Sequence, residues 1–268
     1  WAQRGSDIDG EATGDNSGKS VSLSNDGNTV ATGATGIDGG GTNAGGLRIF
    51  DWNGSAWTQR GSDIDGEEGR TSATNPGDQS GDTLSISNDG DTVIIGARAY
   101  GHLSGNWQPY GHARIFDWNG SAWTQRGTHI LGETNGDNAG ESVSISDDKN
   151  TVAISSPLAD GNGNSSGSRH GHVRIFDWNG SAWAQRGSNI IGEAIDDWMG
   201  RGRNVSLSED GDTVAIGASS NDGGDGNPEN DPGDLELGHV RIFDWNGSAW
   251  AQRGSDIDGE ATGDNSGK

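Results

Sequence analysis

The chain has no cysteine and a single methionine among its 268 residues, which excludes disulfide bonds and thiolate chemistry. It has no apolar run close to the roughly 20 residues of a membrane-spanning helix, and no charged stretch followed by an apolar signal segment. Only 17 basic residues accompany 40 acidic ones, for a net charge of −23. Because nucleic-acid binding needs a positive surface, we expect neither a nucleic-acid partner nor a membrane span.

The apolar residues are few, but they are grouped. They make up 28% of the chain and occur as short runs between clusters of glycine, asparagine, aspartate and serine. Short strands joined by turns have this pattern, and no segment shows helical periodicity over the length of a helix. The sequence therefore predicts an all-β fold.

One ten-residue sequence, RIFDWNGSAW, occurs four times without change. Its copies are Arg48–Trp57, Arg114–Trp123, Arg174–Trp183 and Arg241–Trp250. Equivalent tryptophans, counted from Trp1, are 56 to 67 residues apart, a period that fits tandem four-stranded antiparallel blades of the β-propeller type. We predict a single repeat array over residues 1–268, with units 1–56, 57–122, 123–182 and 183–249 and a partial fifth unit, 250–268.

Each unit contains four predicted strands. In the first unit they are Ser20–Ser24, Thr29–Ala34, the RIFDW segment and the SAWTQRG segment. The Asn-Gly pair between the last two predicts a two-residue type I′ turn, which places Trp52 opposite Ser55 and Phe50 opposite Trp57. Phe50 and the two tryptophans then share one face and Ile49 lies on the other. Since both faces are apolar, we expect each sheet to pack between neighbouring blades.

Two short motifs recur around these strands. A DxxG step precedes the first strand, at Asp15–Gly18, Asp78–Gly81, Asp137–Gly140 and Asp197–Gly200, and a Gly-Ala pair ends the second, at Gly33–Ala34, Gly96–Ala97 and Gly217–Ala218. With these motifs the units resemble FG-GAP-type repeats, the blades of integrin-like propellers and of many secreted microbial and algal proteins. The third unit departs from the pattern with Ser155–Pro157, and the calcium box of the family is not reproduced intact. The resemblance implies a propeller outside the cell or at its surface, with Ca²⁺ as a cation to consider.

The first nineteen residues, Trp1–Lys19, are repeated letter for letter as Trp250–Lys268. The chain begins at tryptophan, so we expect a processed product or an excised piece. Either the chain is part of a longer array, or the duplicated strand of one subunit completes a blade of the next, a head-to-tail contact that gives a filament if it does not close. The residues that represent this assembly strand are Trp1, Gln3, Ile8, Trp250, Gln252 and Ile257.

Two variable loops contain alternating oxygen ligands like those that begin a calcium loop. These candidate Ca²⁺ ligands are Asp160, Asn162 and Asn164 in the third unit, and Asp222, Asp225 and Asn227 in the fourth. Flexible polar loops are the alternative. Histidines recur just before the third strand, at His112, His172 and His239. We expect them to face solvent at the strand ends rather than to form a metal site.

Two sets of residues are candidate glycan sites. The Asn-Gly-Ser turns are N-glycosylation sequons, although turn geometry alone accounts for Asn-Gly. The sequons are at Asn53, Asn119, Asn179, Asn246, Asn164 and Asn204. Aromatic side chains in the second variable loop are candidates for stacking on sugars, namely Tyr100, Trp107 and Tyr110.

These observations favour an extracellular or cell-surface structural and adhesive repeat protein that self-associates head to tail. The alternative is a propeller that holds calcium, carbohydrate or protein through its variable loops, since loops commonly carry recognition. An enzyme is not expected. The one nucleophile motif, GxSxG at Gly163–Gly167, lies in a polar loop without a following helix.

Overall fold

The structure, a computed structural model, describes residues 1–70, 77–101, 109–160, 169–221, 237–261 and 264–268. Within these residues all regular secondary structure is β, as the sequence predicts, and twenty strands form four antiparallel sheets. None of the described residues forms a helix that could cross a membrane.

The four sheets are successive in the chain, and we call them blades 1 to 4. Blade 1 consists of β1 (Ser17–Leu23), β2 (Thr29–Ala34), β3 (Gly46–Trp52), β4 (Trp57–Gln59) and β5 (Ile64–Asp65). Blade 2 consists of β6 (Thr83–Ile86), β7 (Thr92–Ala97), β8 (His112–Trp118), β9 (Trp123–Gln125) and β10 (Ile130–Leu131). Blade 3 consists of β11 (Val143–Ile145), β12 (Thr151–Ser156), β13 (His172–Trp178), β14 (Trp183–Gln185) and β15 (Ile190–Ile191). Blade 4 consists of β16 (Val205–Leu207), β17 (Thr213–Ala218), β18 (His239–Trp245), β19 (Trp250–Gln252) and β20 (Ile257–Asp258).

The third strand of each blade carries two short strands on its outer edge. In blade 1 the order is β1-β2-β3-β4, and β5 pairs with the first residues of β3 while β4 pairs with the last. The first four strands are predicted from the sequence, but the fifth is not. The predicted repeat units do not coincide with the sheets. Each predicted unit begins at the tryptophan that starts β4 or an equivalent strand, and that strand pairs with the third strand, which lies in the preceding unit.

The hairpin between β3 and β4 corrects the predicted two-residue turn. Trp52 pairs with Trp57 and Phe50 with Gln59, so the register differs by two residues from the predicted one and the loop has four residues. Asn53 Oδ1 accepts hydrogen bonds from the backbone of Ser55 at 3.0 Å and of Ala56 at 2.9 Å, which closes the wider loop. A shift of two residues keeps every side chain on its predicted face, and the rings of Trp52 and Trp57 pack edge to face with their centroids 5.4 Å apart.

The blades pack front to back around three apolar clusters. We call one face of each blade the front; in blade 2 it carries Leu84, Ile86 and Phe116. The opposite face is the back; in blade 1 it carries Leu47 and Ile49. Equivalent positions define the two faces of the other blades. The back of blade 1 packs on the front of blade 2, and blades 2 and 3 and blades 3 and 4 repeat this arrangement. The apolar groups on both faces of each predicted strand are thereby buried.

The first strands of neighbouring blades lie side by side near the centre of the array. Ser22 Oγ accepts a hydrogen bond from the Ile86 backbone at 3.2 Å. The backbones of the two blades also approach closely at Gly33, where an added Cβ would lie 2.1 Å from the Gly81 carbonyl oxygen. Arg203, ahead of blade 4, donates to the carbonyl oxygen of Lys19 in β1. This architecture, four-stranded blades packed around an axis with a fifth short strand each, is a β-propeller fold.

Two faces lack a blade against them within the described residues. On the front of blade 1, Val21 is 69% exposed, whereas its equivalent in blade 2, Leu84, is 8% exposed. On the back of blade 4, Ile257 is 54% exposed, whereas its equivalent in blade 1, Ile64, is 5% exposed. One end of the array therefore presents an open front face and the other an open back face.

Candidate functional site

The junction between successive blades is built around an arginine and two tryptophans. Arg60 follows β4 of blade 1, and its guanidinium lies 4.9 Å from the ring centroid of Trp118 in blade 2. The Trp123 indole donates to the Arg60 carbonyl oxygen at 2.8 Å, and Arg114 donates to the Asp65 carbonyl oxygen at 2.6 Å. A cation over a tryptophan face and a satisfied indole N–H both stabilise such a contact. The same set recurs at the next two junctions.

The N-terminal copy of the duplicated segment makes this same set of contacts with blade 1. Arg4 lies 4.8 Å from the ring centroid of Trp52, the Trp57 indole donates to the Arg4 carbonyl oxygen at 2.9 Å, and Arg48 donates to the Asp9 carbonyl oxygen at 2.6 Å. Residues 1–16 form no strand. Of the predicted assembly residues in this copy, Trp1 and Gln3 are exposed and Ile8 is half-buried in a groove beside Phe50.

The C-terminal copy makes the other half of these contacts, since it pairs within a sheet. Trp250 pairs with Trp245, and Ile257 pairs with Val240, as the fourth and fifth strands of every blade do. Its arginine, Arg253, pairs with a carboxylate of its own blade, at 2.6 Å, and its side chain is 61% exposed. Trp250 and Gln252 are half-buried within blade 4. The two copies thus hold complementary halves of one blade junction.

The predicted loop ligands fall largely outside the described residues. Asn162, Asn164, Trp107, Asp222, Asp225 and Asn227 are all in this group. Asp160 is described and is half-buried, as are Tyr100 and Tyr110. The Tyr100 ring packs on His112, with the centroids 4.1 Å apart. Ca²⁺ binding and sugar stacking by these loops stay predictions.

The three histidines that begin the third strands are buried, so the expectation that they face solvent is wrong. His112, His172 and His239 are at most 3% exposed. The reason is visible at His112, which pairs with Leu131 of the fifth strand and whose carbonyl oxygen lies against Gly140 in the connector to the next blade. The fifth strand, which the sequence analysis missed, covers this end of the blade.

Around His112 the structure brings together further titratable groups that the sequence analysis did not associate. Glu67 comes from the connector into blade 2 and His129 precedes β10, and His129 Nε2 lies 3.1 Å from Glu67 Oε1. The two imidazole rings have their centroids 5.0 Å apart. Burial, and then the charges of Arg114 and His129, hold the pKa of His112 well below its ordinary value. The sequence signal that could have found this group is the recurrence of Glu and His at fixed positions in successive units.

The DxxG aspartates hold the connectors between blades. Asp78 Oδ2 accepts hydrogen bonds from the backbone amides of Glu67, at 2.6 Å, and Glu68, at 2.9 Å. Asp78 is fully buried, and this burial raises its pKa to about 6 against the lowering effect of the two amides. Asp15 accepts the equivalent bond from Ala12 at 2.8 Å. This motif thus serves the blade through bonds to backbone amides.

The hairpin sequons lie on exposed loops. Asn53, Asn119, Asn179 and Asn246 are exposed and their Oδ1 atoms are used in the loop. Asn204 is partly buried and its amide donates to the Arg201 carbonyl oxygen, while Asn164 lies outside the described residues. Occupancy of the sequons by glycans stays a prediction.

No protein-family model and no curated protein matches the chain. Solved structures do. A protein assigned as TolB from Agrobacterium tumefaciens aligns over 88% of this chain and 61% of its own length, with 11% identity and a TM-score of 0.45. The periplasmic gluconolactonase PpgL of Pseudomonas aeruginosa aligns over 91% of this chain and 58% of its own length, with 12% identity and a TM-score of 0.53. The chain spans about three fifths of the length of each, and at these identities the likeness to PpgL shows the fold alone.

These comparisons change two expectations from the sequence. The propeller fold is supported, but the FG-GAP type of propeller is not confirmed, because the likeness to PpgL shows the fold alone. The prediction that the chain is not an enzyme is wrong as an inference from this architecture. A gluconolactonase, an enzyme, has the same fold, so a propeller of this kind is compatible with catalysis.

Proposed function

We propose that the chain is a β-propeller repeat module of an extracellular or cell-envelope assembly, in which copies associate head to tail by packing blade on blade. The observation that carries this proposal is that two segments of identical sequence each make one half of the contacts found at a complete blade junction. Residues 1–16 of the N-terminal copy lie on a front face and belong to no sheet, whereas the C-terminal copy belongs to a sheet and contacts no front face among the described residues.

A second copy of the chain is the occupant that fits both open faces. The back of blade 4 and the front of blade 1 carry the same residue types that pack together at the three internal junctions, and Val21, Leu23 and Ile257 are the apolar side chains left exposed there. If the C-terminal copy of one chain replaces the N-terminal copy on the next, Arg253 takes the place of Arg4 over Trp52. Because the sequences are identical, no contact of blade 1 is lost in the exchange.

The surface of the module fits a location outside the cytoplasm. The net charge of −23 keeps an extended repetitive assembly soluble by mutual repulsion, and the sequons at the exposed hairpins would carry glycans in a host that glycosylates. The assembly would therefore present acidic loops and hairpin tips while its apolar faces are paired.

The experiment compares the same substitution in the two copies. Sedimentation velocity of the wild type over a range of concentrations should show mass increasing with concentration. Arg253→Ala should weaken association about tenfold, since a cation–π contact of 1–2 kcal/mol is lost only in the assembly. Arg4→Ala, the matched control, should leave association unchanged or strengthen it, because it loosens the segment that must be displaced. A wild type that stays monomeric at about 100 µM, a concentration at which even weak protein contacts are populated, contradicts the proposal.

A further inference from the structure

Three metal-binding side chains meet at the junction of blades 1 and 2. Glu67, His112 and His129 each place one ligand atom within 4.8 Å of the ligand atoms of the other two. They come from separate elements: the connector into blade 2, the first residue of β8 and the segment before β10. The fold rather than local sequence therefore brings them together.

His112 is the strongest indication that this group has a ligand. Its side chain is fully buried, and neither ring nitrogen has a hydrogen-bond partner among the described residues. A buried polar atom without a partner costs free energy, and a bound ion is one of the few ways to recover that cost. A neutral imidazole offers a metal ion the lone pair of one ring nitrogen.

We propose that Glu67, His112 and His129 bind a divalent transition metal ion of the Zn²⁺ class. Two imidazoles and one carboxylate form a donor set that zinc accepts in proteins. Ca²⁺ fits poorly, because it takes six to eight oxygen ligands. The side chains of Glu67 and His129 are about one-third exposed, which leaves a fourth coordination position open to water.

The surroundings of the three ligands are mixed in charge. Arg114 Nη1 lies 3.7 Å from Glu67 Oε1 and opposes a cation. Asp78, which holds the backbone of Glu67, and Asp65 offset it, since both lie close enough to Arg114 to interact with its charge. The hydrogen bond that Asp78 accepts from the backbone amide of Glu67 also fixes this ligand in place, as carboxylates behind metal ligands do.

The other blades supply an internal comparison. Blade 3 has Glu133 and His172 at the equivalent positions but Asn189 in place of His129. The Asn189 amide donates to Glu133 Oε2 at 2.8 Å, so the carboxylate is already engaged and a third ligand is lacking. Blade 1 has Gly46 in place of the histidine. We therefore expect the tight site in blade 2 and none in blades 1 and 3.

Blade 4 has a weaker version of the same group. Its members are Glu193, His239 and Asp256, and their ligand atoms also lie within 4.8 Å of one another. One imidazole is replaced by a carboxylate, and that carboxylate already accepts a bond from Gln252 at 2.6 Å. We expect Zn²⁺ to bind there less tightly than in blade 2.

The test is isothermal titration of the untagged 268-residue chain with ZnCl₂. The wild type should bind one equivalent tightly. His129→Asn, which gives blade 2 the arrangement of blade 3, should weaken that equivalent by about 100-fold or more, because it removes a ligand and the loss of a residue behind a ligand alone costs about 10- to 100-fold. The reciprocal change, Asn189→His, completes the group in blade 3 and should add a second tight equivalent.

Stability in the presence of a chelator separates metal binding from folding. His129→Asn and Asn189→His exchange residues that the chain already accommodates at equivalent positions, so their urea unfolding in EDTA should match that of the wild type. Glu67→Gln, at a partly exposed position, should lower Zn²⁺ affinity at least tenfold. A wild type that binds no Zn²⁺, or binds it no more tightly than His129→Asn does, overturns the proposal.

Discussion

Two segments of identical sequence, Trp1–Lys19 and Trp250–Lys268, adopt different structures in one chain. The C-terminal copy forms β19 and β20 on the edge of β18, whereas the N-terminal copy forms no strand before Ser17 and lies on a blade face through Arg4. The available partner, a sheet edge in one case and an apolar face in the other, decides the structure, because strand formation depends strongly on context.

Internal copies of the segment show what both ends lack. Residues 57–65 pair with β3 and also contact blade 2 through Arg60. Pairing within a blade and packing on the next blade are therefore separable contributions to stability. Among the described residues, the C-terminal copy makes the first and the N-terminal copy makes the second. Substitutions at equivalent positions in covered and open junctions measure the packing contribution alone.

The largest effect is expected from a charge placed on the front face. Ile86→Asp in blade 2 should cost about 4 kcal/mol of unfolding free energy, because it buries an unpaired carboxylate. Leu23→Asp, at the equivalent position of the open face, should cost less than about 1 kcal/mol. Urea unfolding at concentrations where the chain is monomeric provides both values. Leu131→Asp is the control, since Asp65 occupies the same position in blade 1. Equal losses for Ile86→Asp and Leu23→Asp would mean that blade 1 is covered after all.

The pH dependence of stability should distinguish covered from open DxxG steps. Burial raises the pKa of Asp78 to about 6, so the folded chain binds a proton between pH 4 and 6 that the unfolded chain does not. The stabilisation of the folded chain by this extra proton is complete below about pH 4 and is lost as the pH rises through 6. Asp78→Asn should therefore gain up to about 3 kcal/mol relative to wild type between pH 4 and 7.5.

The matched control for this prediction is Asp15→Asn. It removes the carboxyl group from the more exposed copy of the same turn, where Asp15 makes the same bond to a backbone amide. Urea unfolding of the two variants and the wild type across this pH range tests the difference. Parallel stability profiles for the wild type and Asp78→Asn would contradict the effect attributed to burial.

A smaller effect is expected at the junction arginines. Arg60→Ala should cost about 2 kcal/mol, because its guanidinium stacks on Trp118 and pairs with Asp91 in a largely buried position. Arg253→Ala should change the stability of the monomer by less than about 0.5 kcal/mol, since its ion pair with Asp244 is exposed. Both values come from urea unfolding. A cost for Arg253→Ala as large as that for Arg60→Ala would show that the C-terminal copy already has a partner.

The smallest difference is expected at the hairpins, where the two ends should behave alike. Asn53→Ala in blade 1 and Asn246→Ala in blade 4 each remove an acceptor for two backbone amides. Each should cost about 1 kcal/mol, the usual value for a capping side chain. Thermal unfolding of the two variants should give equal shifts. Unequal shifts would mean that the hairpins depend on the blade that packs beside them.

Local sequence was sufficient for much of the fold. The bounds of β2, Thr29–Ala34, were predicted as observed, because β-branched residues between an Asp-Gly turn and a Gly-Ala pair leave little choice. The hairpin register was not predictable in the same way. A shift of two residues leaves the apolar pattern unchanged, so the apolar pattern does not select the observed loop, which the Asn53 bonds and the Trp52–Trp57 contact stabilise.

The recurrence of Glu and His in successive units is visible in the sequence, but the burial of the candidate metal ligands is not. His112 follows a variable polar loop, which is the pattern of an exposed strand end. Its burial depends on the short strand β10, which has no strong sequence signature, and on the connector into blade 3, whose DxxG step is recognisable in the sequence although its contact with His112 is not. The enzyme question was likewise not decidable from motifs, since one propeller architecture accommodates different functions.

The most direct test of the account is a thiol cross-link between copies, which the absence of cysteine makes free of background. Within the chain, Ile64 and Ala122 line one groove at a covered junction, and the equivalent pair across two copies is Ile257 and Ala56. With a short bis-maleimide, Ile257→Cys combined with Ala56→Cys should give a ladder of covalent multimers that Arg253→Ala suppresses. Monomers alone, while Ile64→Cys combined with Ala122→Cys cross-links within the chain, would contradict head-to-tail packing of the blades.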